Sequence, residues 1–383
     1  MKPEKLSSSA KNYYEGKAII IMKKAATKIL SLVLSAVLVA GVFAPGTAKA
    51  DTLDDAGETT VIDGVEYVRS VYTNEWVTKE QAGIRPIAIM MPTDKKAQPS
   101  FGISNAKVLY EIMEEGEISR QMAVIDNWVG LPKIGNIRSC RLYYIPEATE
   151  WDPILIHFGG VFYMMYRITA PDINNLSGTK EYGTGGSAPG SGYFFRTADR
   201  KAPHNAYISS EGIIKASAEL GYNLAIRPEY YNAKHFQFAQ GVNTLEQYGA
   251  AAMTANSVDL SKIFTYTKSA FTYNAQEGVY YKTIHGKAQV DGLNGQQLKF
   301  ANIIIQNTQW AALNGTKYLT FLNCDNTMDG YYITKGKAIH ITWAKNSDYE
   351  VTHYYDDFGN EIQMNEGKTY IAVAQAGRSA IIK

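Results

Sequence analysis

Three groups of residues in the first half of the chain carry side chains that could do chemistry. The first is Glu111, Glu114, Glu115, Glu117 and Arg120 in "YEIMEEGEISR". The second is Arg138 and Arg141 in "NIRSCRLYYI", followed by His157 in "ILIHFGG". The third is Arg196, Asp199, Arg200, Lys201, His204 and Asn205 in "FFRTADRKAPHNAY". Guanidinium groups present planar, forked donors that match carboxylate or phosphate, so the arginines point to anion recognition. Arg138 and Arg141 stand three apart: they share a face in a helix and point to opposite sides in a strand. His157 ends an apolar run beside Gly159 and Gly160, where a ligand could approach the backbone closely. His204, fixed after Pro203, is suited to acid or base work near neutral pH. The same residue types also fit a buried network of glutamates paired with arginines. Convergence of Arg138, Arg141, His157 and His204 on one solvent-open pocket would separate the two readings.

Other chemistries have weaker support. The six histidines (157, 204, 235, 285, 340 and 353) never show close paired spacing, so no metal and no cofactor are expected. The Gly/Ser-rich stretch 181–195 lacks the Gly-Lys-Ser/Thr ending of a phosphate loop and reads as a surface loop. Ser187 and Ser191 within it form no G-x-S-x-G elbow. Cys140 lies between two arginines but has no evident base partner. With Cys324 it makes only two cysteines, 184 residues apart, expected as buried thiols rather than a bridge. Tyrosine is abundant, and several residues come as adjacent pairs such as Tyr280-Tyr281, Tyr331-Tyr332 and Tyr354-Tyr355. In a strand each pair gives one ring to a core and one to solvent. Such exposed rings are either ordinary extracellular β structure or platforms for a glycan or peptide.

The elements that must position these residues follow a leader. Lys23, Lys24 and Lys28 precede the apolar run Ile29–Phe43, and Ala48-Lys49-Ala50 supplies a small-x-small cleavage pattern. Residues 1–50 therefore read as a secretory signal peptide, with Met22 the expected true start. The apolar run is short for a membrane span, so membrane attachment is expected only through an uncleaved leader. Without the leader's eight lysines and two glutamates, 30 basic face 35 acidic residues, a net charge of −5. That balance argues against nucleic acid. Residues 51–84 read as a linker with a hairpin at Asp63-Gly64. Residues 85–255 read as a mixed α/β domain. It has strands at "RPIAIMM", "RQMAVIDNWV" and "PILIHFGG" and helices at 104–115 and 209–221. Residues 261–383 carry short β-rich runs punctuated by turns such as Asp291-Gly292, Asn314-Gly315 and Asp329-Gly330. They read as a mainly antiparallel domain, a small barrel or sandwich, so the fold class is α+β.

The words "RPIAIMM", "YEIMEEGEISR", "IGNIRSCRLYYI", "ILIHFGG" and "RKAPHNAYIS", in this order, resemble the YerB-like lipoprotein family of Gram-positive envelopes. "QVDGLNGQQLKFANIIIQ", "GKAIHITWAK" and "YYDDFGNEIQMNEGKTYIAV" are similar to that family's separate C-terminal domain. The resemblance spans roughly residues 85–383 and implies a two-domain extracytoplasmic protein with no established activity. It marks Glu111, Glu115, Arg120, Arg138, Arg141, His157, Gly159, Gly160, Arg200, Pro203, His204 and Asn205. Two departures stand out. A lipobox cysteine, frequent in the family, has no counterpart here, which favours secretion or wall retention over lipid anchoring. The family's RSAR-like word reads RSCR, with both arginines kept.

The candidate ligand-binding residues are therefore Glu111, Glu115, Arg120, Arg138, Arg141, His157, Arg200, His204 and Asn205, with no catalytic residue assigned. The expected function is binding of an anionic envelope ligand or a partner protein, with cell-wall glycan and anionic polymer as the candidate partners. The alternative is a hydrolase or transferase acting on a wall polymer or its phosphorylated precursor. In that case His204 or Glu115 serves as acid/base and Arg138 and Arg141 hold the anion. A purely structural scaffold is a third reading.

Overall fold

Long apolar runs without a clear period are the signature of strands covered on both faces, and they build the centre of this protein. The computed structural model describes residues 51–179, 188–313, 316–324 and 326–383. Its main element is an eleven-stranded mixed sheet. Ten strands run in the order Met253–Thr254, Lys337–Lys345, Asn326–Thr334, Asn302–Thr308, Thr369–Gln375, Val108–Met113, Ser119–Ile125, Ile87–Pro92, Ile154–His157 and Asn175–Ser177. The eleventh, His353–Tyr355, also pairs with Lys337–Lys345. Every residue of Ile87–Pro92, Val108–Met113, Ser119–Ile125 and Thr369–Gln375 is buried.

Thr369–Gln375 lies parallel between Asn302–Thr308 and Val108–Met113, pairing Tyr370 with Leu109 and Ala372 with Glu111. The regions expected as separate domains, 85–255 and 261–383, thus both supply strands to one sheet. Residues from 51 onward belong to one compact unit. Thr369–Gln375, from the second half of the chain, finds one of its two backbone partners, Val108–Met113, in the first half. The antiparallel element expected after residue 261 is present but smaller. Ser257–Asp259, Ala270–Asn274, Val279–Ile284, Lys287–Ala288, Lys299–Phe300 and Ile381–Ile382 form a six-stranded sheet. Phe271 and Phe300 of that sheet pack on Tyr370 of the central one, with ring centroids 4.7 and 5.7 Å away.

Two expectations are corrected in the first half. The helix expected over 104–115 is the strand Val108–Met113. Val108, Leu109, Ile112 and Met113 fit one helical face, but Tyr110 and Glu111 between them are buried too. The stretch expected as a linker, 51–84, holds an antiparallel three-stranded sheet of Thr59–Ile62, Val65–Arg69 and Trp76–Thr78, with the expected hairpin at Asp63-Gly64. The second expected helix is found at Ser210–Leu220. Ser209 accepts from the Gly212 amide at its start, and Gly221 ends it at φ 70°. The strand tyrosine pairs alternate as the geometry requires: Tyr280, Tyr332 and Tyr354 are buried, and their neighbours Tyr281, Tyr331 and Tyr355 are half-buried.

The leader, Ser187 and the Asn314-Gly315 turn lie outside the described residues. Among the described residues no helix is long and apolar enough to cross a membrane.

Candidate functional site

Three neighbouring strands, Ile87–Pro92, Ile154–His157 and Asn175–Ser177, run parallel. The chain that leaves the carboxyl end of Asn175–Ser177 goes on to carry Arg200, His204 and Asn205. The segment 136–141 is threaded across the strand ends. The Arg138 amide donates to the Met90 carbonyl (2.9 Å), and the Arg138 carbonyl accepts from the Phe158 amide (2.9 Å). The Cys140 amide donates to the Gly159 carbonyl at 3.0 Å. A side chain at Gly159, where φ is 75°, would run into Thr179, and one at Gly160 into Met164 and then the Cys140 carbonyl, so the chain itself fills the space these glycines leave. On the other side, Ile134–Gly135 pairs with Ala206–Ile208, which brings the 196–206 loop over the same edge.

Asn136 joins these loops. It is fully buried, and its side-chain amide donates to the Ala97 carbonyl (3.0 Å) and the His204 carbonyl (2.7 Å). Arg200 braces the 97–99 backbone, donating to the carbonyls of Ala97 and, at 2.8 Å, Pro99. Three peptide bonds in these loops are cis: Gln98-Pro99, Gly135-Asn136 and Ala202-Pro203. Asn136 was not singled out from sequence, since a lone Asn inside "IGNIRSCR" gives no sign that two distant loops will meet at it.

Below this lies a paired charge cluster. Glu114 and Glu115 sit at the end of Val108–Met113, in a turn completed by Gly116 at φ 73°. Arg120 Nη2 lies 2.6 Å from Glu114, with both side chains 4% exposed. Arg141 Nη2 lies 2.7 Å from Glu115 and its Nη1 3.6 Å from Glu114. Burial raises the Glu114 carboxyl despite the nearby Arg120 and Arg141. Burial also opposes the Glu115 charge, but there the Arg141 contacts prevail and lower the pKa. Two buried atoms of this cluster, Arg120 Nε and Glu114 Oε1, have no hydrogen-bond partner among the described residues.

Arg138 is different. Arg120, Arg141 and Arg200 each have a carboxylate within 4 Å; for Arg138 none is found among the described residues. Its Nη1 lies 3.4 Å from His204 Nδ1. Arginine can only donate, so the imidazole must accept at Nδ1 and carry its proton on Nε2. Burial holds the His204 pKa below its ordinary value, and Arg138, Lys96 and Arg200 push the same way against Asp94. Burial, then Arg120, likewise disfavours the Arg138 charge, with Asp94 and Glu114 opposing. The result is a half-buried, cation-rich corner in which Arg138 has no carboxylate within 4 Å among the described residues, the charges of Asp94 and Glu114 acting from farther away.

Arg138 and His204 are thus in contact, with the charges of Arg120 and Arg141 acting on Arg138 and that of Arg200 on His204. Glu111, His157 and Asn205 are placed elsewhere. Glu111 is fully buried and takes hydrogen bonds from Ser119, Gln121, Ser269 and Tyr370, with Lys282 Nζ at 3.2 Å. His157 is fully buried against the Gly159 carbonyl (2.7 Å) and Asn175 (3.2 Å), and burial lowers its pKa. Asn205 accepts from Arg196 and donates to the Thr197 carbonyl, each at 2.7 Å. Of the four residues expected on one open pocket, Arg138 and His204 touch, Arg141 is paired with Glu115, and His157 is buried against Gly159 and Asn175. A surface concavity of about 920 Å³ lies away from this corner, lined by Arg69, Asn74, Gln237, Lys335 and Glu366 among others. Cys140 and Cys324 are both free. No cluster of three or more His, Cys, Asp or Glu suited to a metal is found among the described residues.

Two family models match the chain. "Protein of unknown function (DUF3048) N-terminal domain" covers residues 72–223, and the corresponding C-terminal domain covers 260–371. A relative from Bacillus subtilis (strain 168), "Putative lipoprotein YerB", is 27% identical over 224 residues, 58% of this chain and 61% of that protein. The match thus spans less than two thirds of the relative's length. A crystal structure of YerB protein from Bacillus subtilis superposes with a TM-score of 0.67 at 20% identity, covering 82% of this chain and 99% of that one. At that identity the superposition speaks for the fold alone. With both domain models matched in order, the chain belongs to the YerB-like DUF3048 family.

Proposed function

We propose that this protein works in the bacterial cell envelope as a binding module that holds an anionic ligand at Arg138 and His204. The observation that carries this reading is the half-buried Arg138 guanidinium without a carboxylate within 4 Å among the described residues, beside arginines that each have one. A desolvated cation gains most when an anion completes it, and a forked donor favours carboxylate or phosphate. His204 supports the same role: its neutral ring holds Arg138 in place without competing for the anion. The lipoprotein name of the Bacillus relative and the leader-like first fifty residues support the envelope location. Secretion or wall retention through that leader is the form we favour.

The test is titration of the purified protein with polyglycerol phosphate, a phosphodiester polymer, followed by calorimetry. Arg138→Gln is expected to weaken binding by at least about tenfold, the scale of one charge-assisted contact. Equal affinity in wild type and Arg138→Gln would remove Arg138 as the site.

A further inference from the structure

We infer that the Arg138 corner continues into an aromatic shelf that reads the ring faces of an anionic saccharide. This rests on the anion-binding reading above and names the ligand class.

Phe162–Met164 and Met165–Ile168 form one short helical run. Phe162, in the 3-10 turn, and Tyr166, in the α turn that follows, are 68% and 72% exposed. Tyr318, from the other half of the chain, closes the group. Its ring centroid lies 6.4 Å from Phe162 and 5.5 Å from Tyr163, and Phe162 and Tyr163 are 5.8 Å apart. Single exposed aromatics are ordinary on a protein surface; a contiguous group of large rings is not.

Hydrogen bonds tie the shelf to the charged corner. The Tyr163 hydroxyl donates to the Leu319 carbonyl at 3.2 Å, and the Leu319 amide reaches Glu115 at 3.4 Å. Glu115 is in turn the 2.7 Å partner of Arg141. Arg138 lies three residues back along the chain from Arg141, at most about 10 Å of extended backbone. The rings are thus joined to the arginine-bearing segment through Leu319, Glu115 and Arg141.

The chemistry favours a sugar over other occupants. A pyranose presents a C–H face that packs on an aromatic ring, while its hydroxyls need donors and acceptors at the ring edges. Tyr163, Tyr166 and Tyr318 carry hydroxyls, and Glu115 and Arg141 lie alongside. An acidic substituent would then meet Arg138. An anionic bilayer fits poorly, because Glu115 and Asp348 set carboxylates near the shelf; Asp348 is held by Arg167, next to Tyr166, at 2.7 Å. An apolar peptide would call for an aliphatic groove in place of rings rimmed by hydroxyls.

The experiment compares four probes by calorimetry. They are N-acetylglucosaminyl-N-acetylmuramic acid, which carries a lactyl carboxylate; neutral N,N′-diacetylchitobiose; polyglycerol phosphate, which has no sugar ring; and phosphatidylglycerol vesicles. The double variant Phe162→Ala with Tyr166→Ala alters only exposed side chains, and an unchanged thermal transition will show that it folds. It is expected to lose about tenfold affinity for the anionic disaccharide and none for polyglycerol phosphate. Arg138→Gln is expected to weaken both charged probes and to bring the anionic disaccharide down to the chitobiose level. If the aromatic variant binds the disaccharide as wild type does while Arg138→Gln does not, the shelf is wrong and the anion site stands. If Arg138→Gln changes neither charged probe, the anion site falls and the shelf reading with it. Failure of wild type to bind the disaccharide, or vesicle binding that needs Phe162, would also overturn the saccharide assignment.

Discussion

The Glu111 carboxylate and the Lys282 ammonium lie 3.2 Å apart with neither side chain reached by solvent. One belongs to the central sheet and the other to the six-stranded sheet, so the pair fastens the two together. Lys282 Nζ also donates to Ser269 at 2.9 Å. Burial works against both charges. It lowers the Lys282 pKa, while the lysine and the hydroxyl and amide donors around Glu111 bring that carboxyl below its ordinary value. Removing one partner strands the other charge. Lys282→Met is therefore expected to cost about 3–5 kcal/mol in chemical denaturation. Adding Glu111→Leu should recover only part of it, since Ser119, Gln121, Ser269 and Tyr370 would lose their shared acceptor. A cost below about 1 kcal/mol for Lys282→Met would rule out a fastening role.

The arginines of the candidate site should separate by the same measurement. Arg120→Gln removes the 2.6 Å partner of buried Glu114 and is expected to destabilise by about 3 kcal/mol. Arg138→Gln breaks no ion pair among the described residues and should stay within about 0.5 kcal/mol of wild type. That pattern marks Arg138 as kept for a ligand and Arg120 as kept for the fold. Comparable losses in both variants would instead make Arg138 part of the structural network.

What was legible in the sequence follows physical lines. Ile87–Pro92, Ser119–Ile125 and Ile154–His157 could be read because apolar runs ended by Pro, Asp or Gly leave few alternatives. The helix Ser210–Leu220 was legible from its Ser cap and Gly stop. Val108–Met113 was misread because burial on both faces erases the period that tells strand from helix. The sheet shared by the two halves was hidden, since parallel pairing of Thr369–Gln375 with Val108–Met113 is a contact between distant segments with no local mark. Residue type singled out Arg138 and His204, which touch although 66 residues separate them. It could not distinguish them from Glu111 and His157, whose chemistry is equally suggestive and whose burial only the fold decides.

The cysteines should be inert in the folded protein. Cys140 is fully buried, and burial pushes its thiol up to about 12 despite the neighbouring Arg141. Cys324 is half-buried and likewise pushed up to about 12, chiefly by burial. Because thiolate is the reactive form, neither should react with an aromatic disulfide reagent at mildly alkaline pH within minutes. Both should react once guanidinium unfolds the chain. Rapid native-state labelling of Cys140 would contradict its burial between the two arginine-bearing turns.

Glu147 supplies a pH signature. It lies on the short helix Ile145–Thr149, fully buried, with the Asn323 amide donating to it at 2.8 Å. Burial, together with the charge of Glu150, raises its carboxyl to about 8, against the pull of Lys345 and Asn323. Glu150 takes the Lys345 ammonium at 2.9 Å and keeps a lowered pKa, so one lysine serves the two acids and Glu147 is left as the protonated member. In the unfolded chain Glu147 ionises at its ordinary value of 4.5. Between that pH and about 8 the folded state therefore holds a proton that the unfolded state has released. The stability this proton contributes is full below the unfolded value, falls as pH rises through the interval, and is gone above the folded value. Glu147→Gln fixes the neutral form and keeps an acceptor for Asn323, so it should remove this slope. Thermal transitions recorded from about pH 4 to about pH 9 are expected to show wild type losing ground to the variant across that range and running level with a constant offset beyond it. Parallel curves throughout would mean that Glu147 is already charged in the folded protein and that Lys345 is shared differently between the two carboxylates.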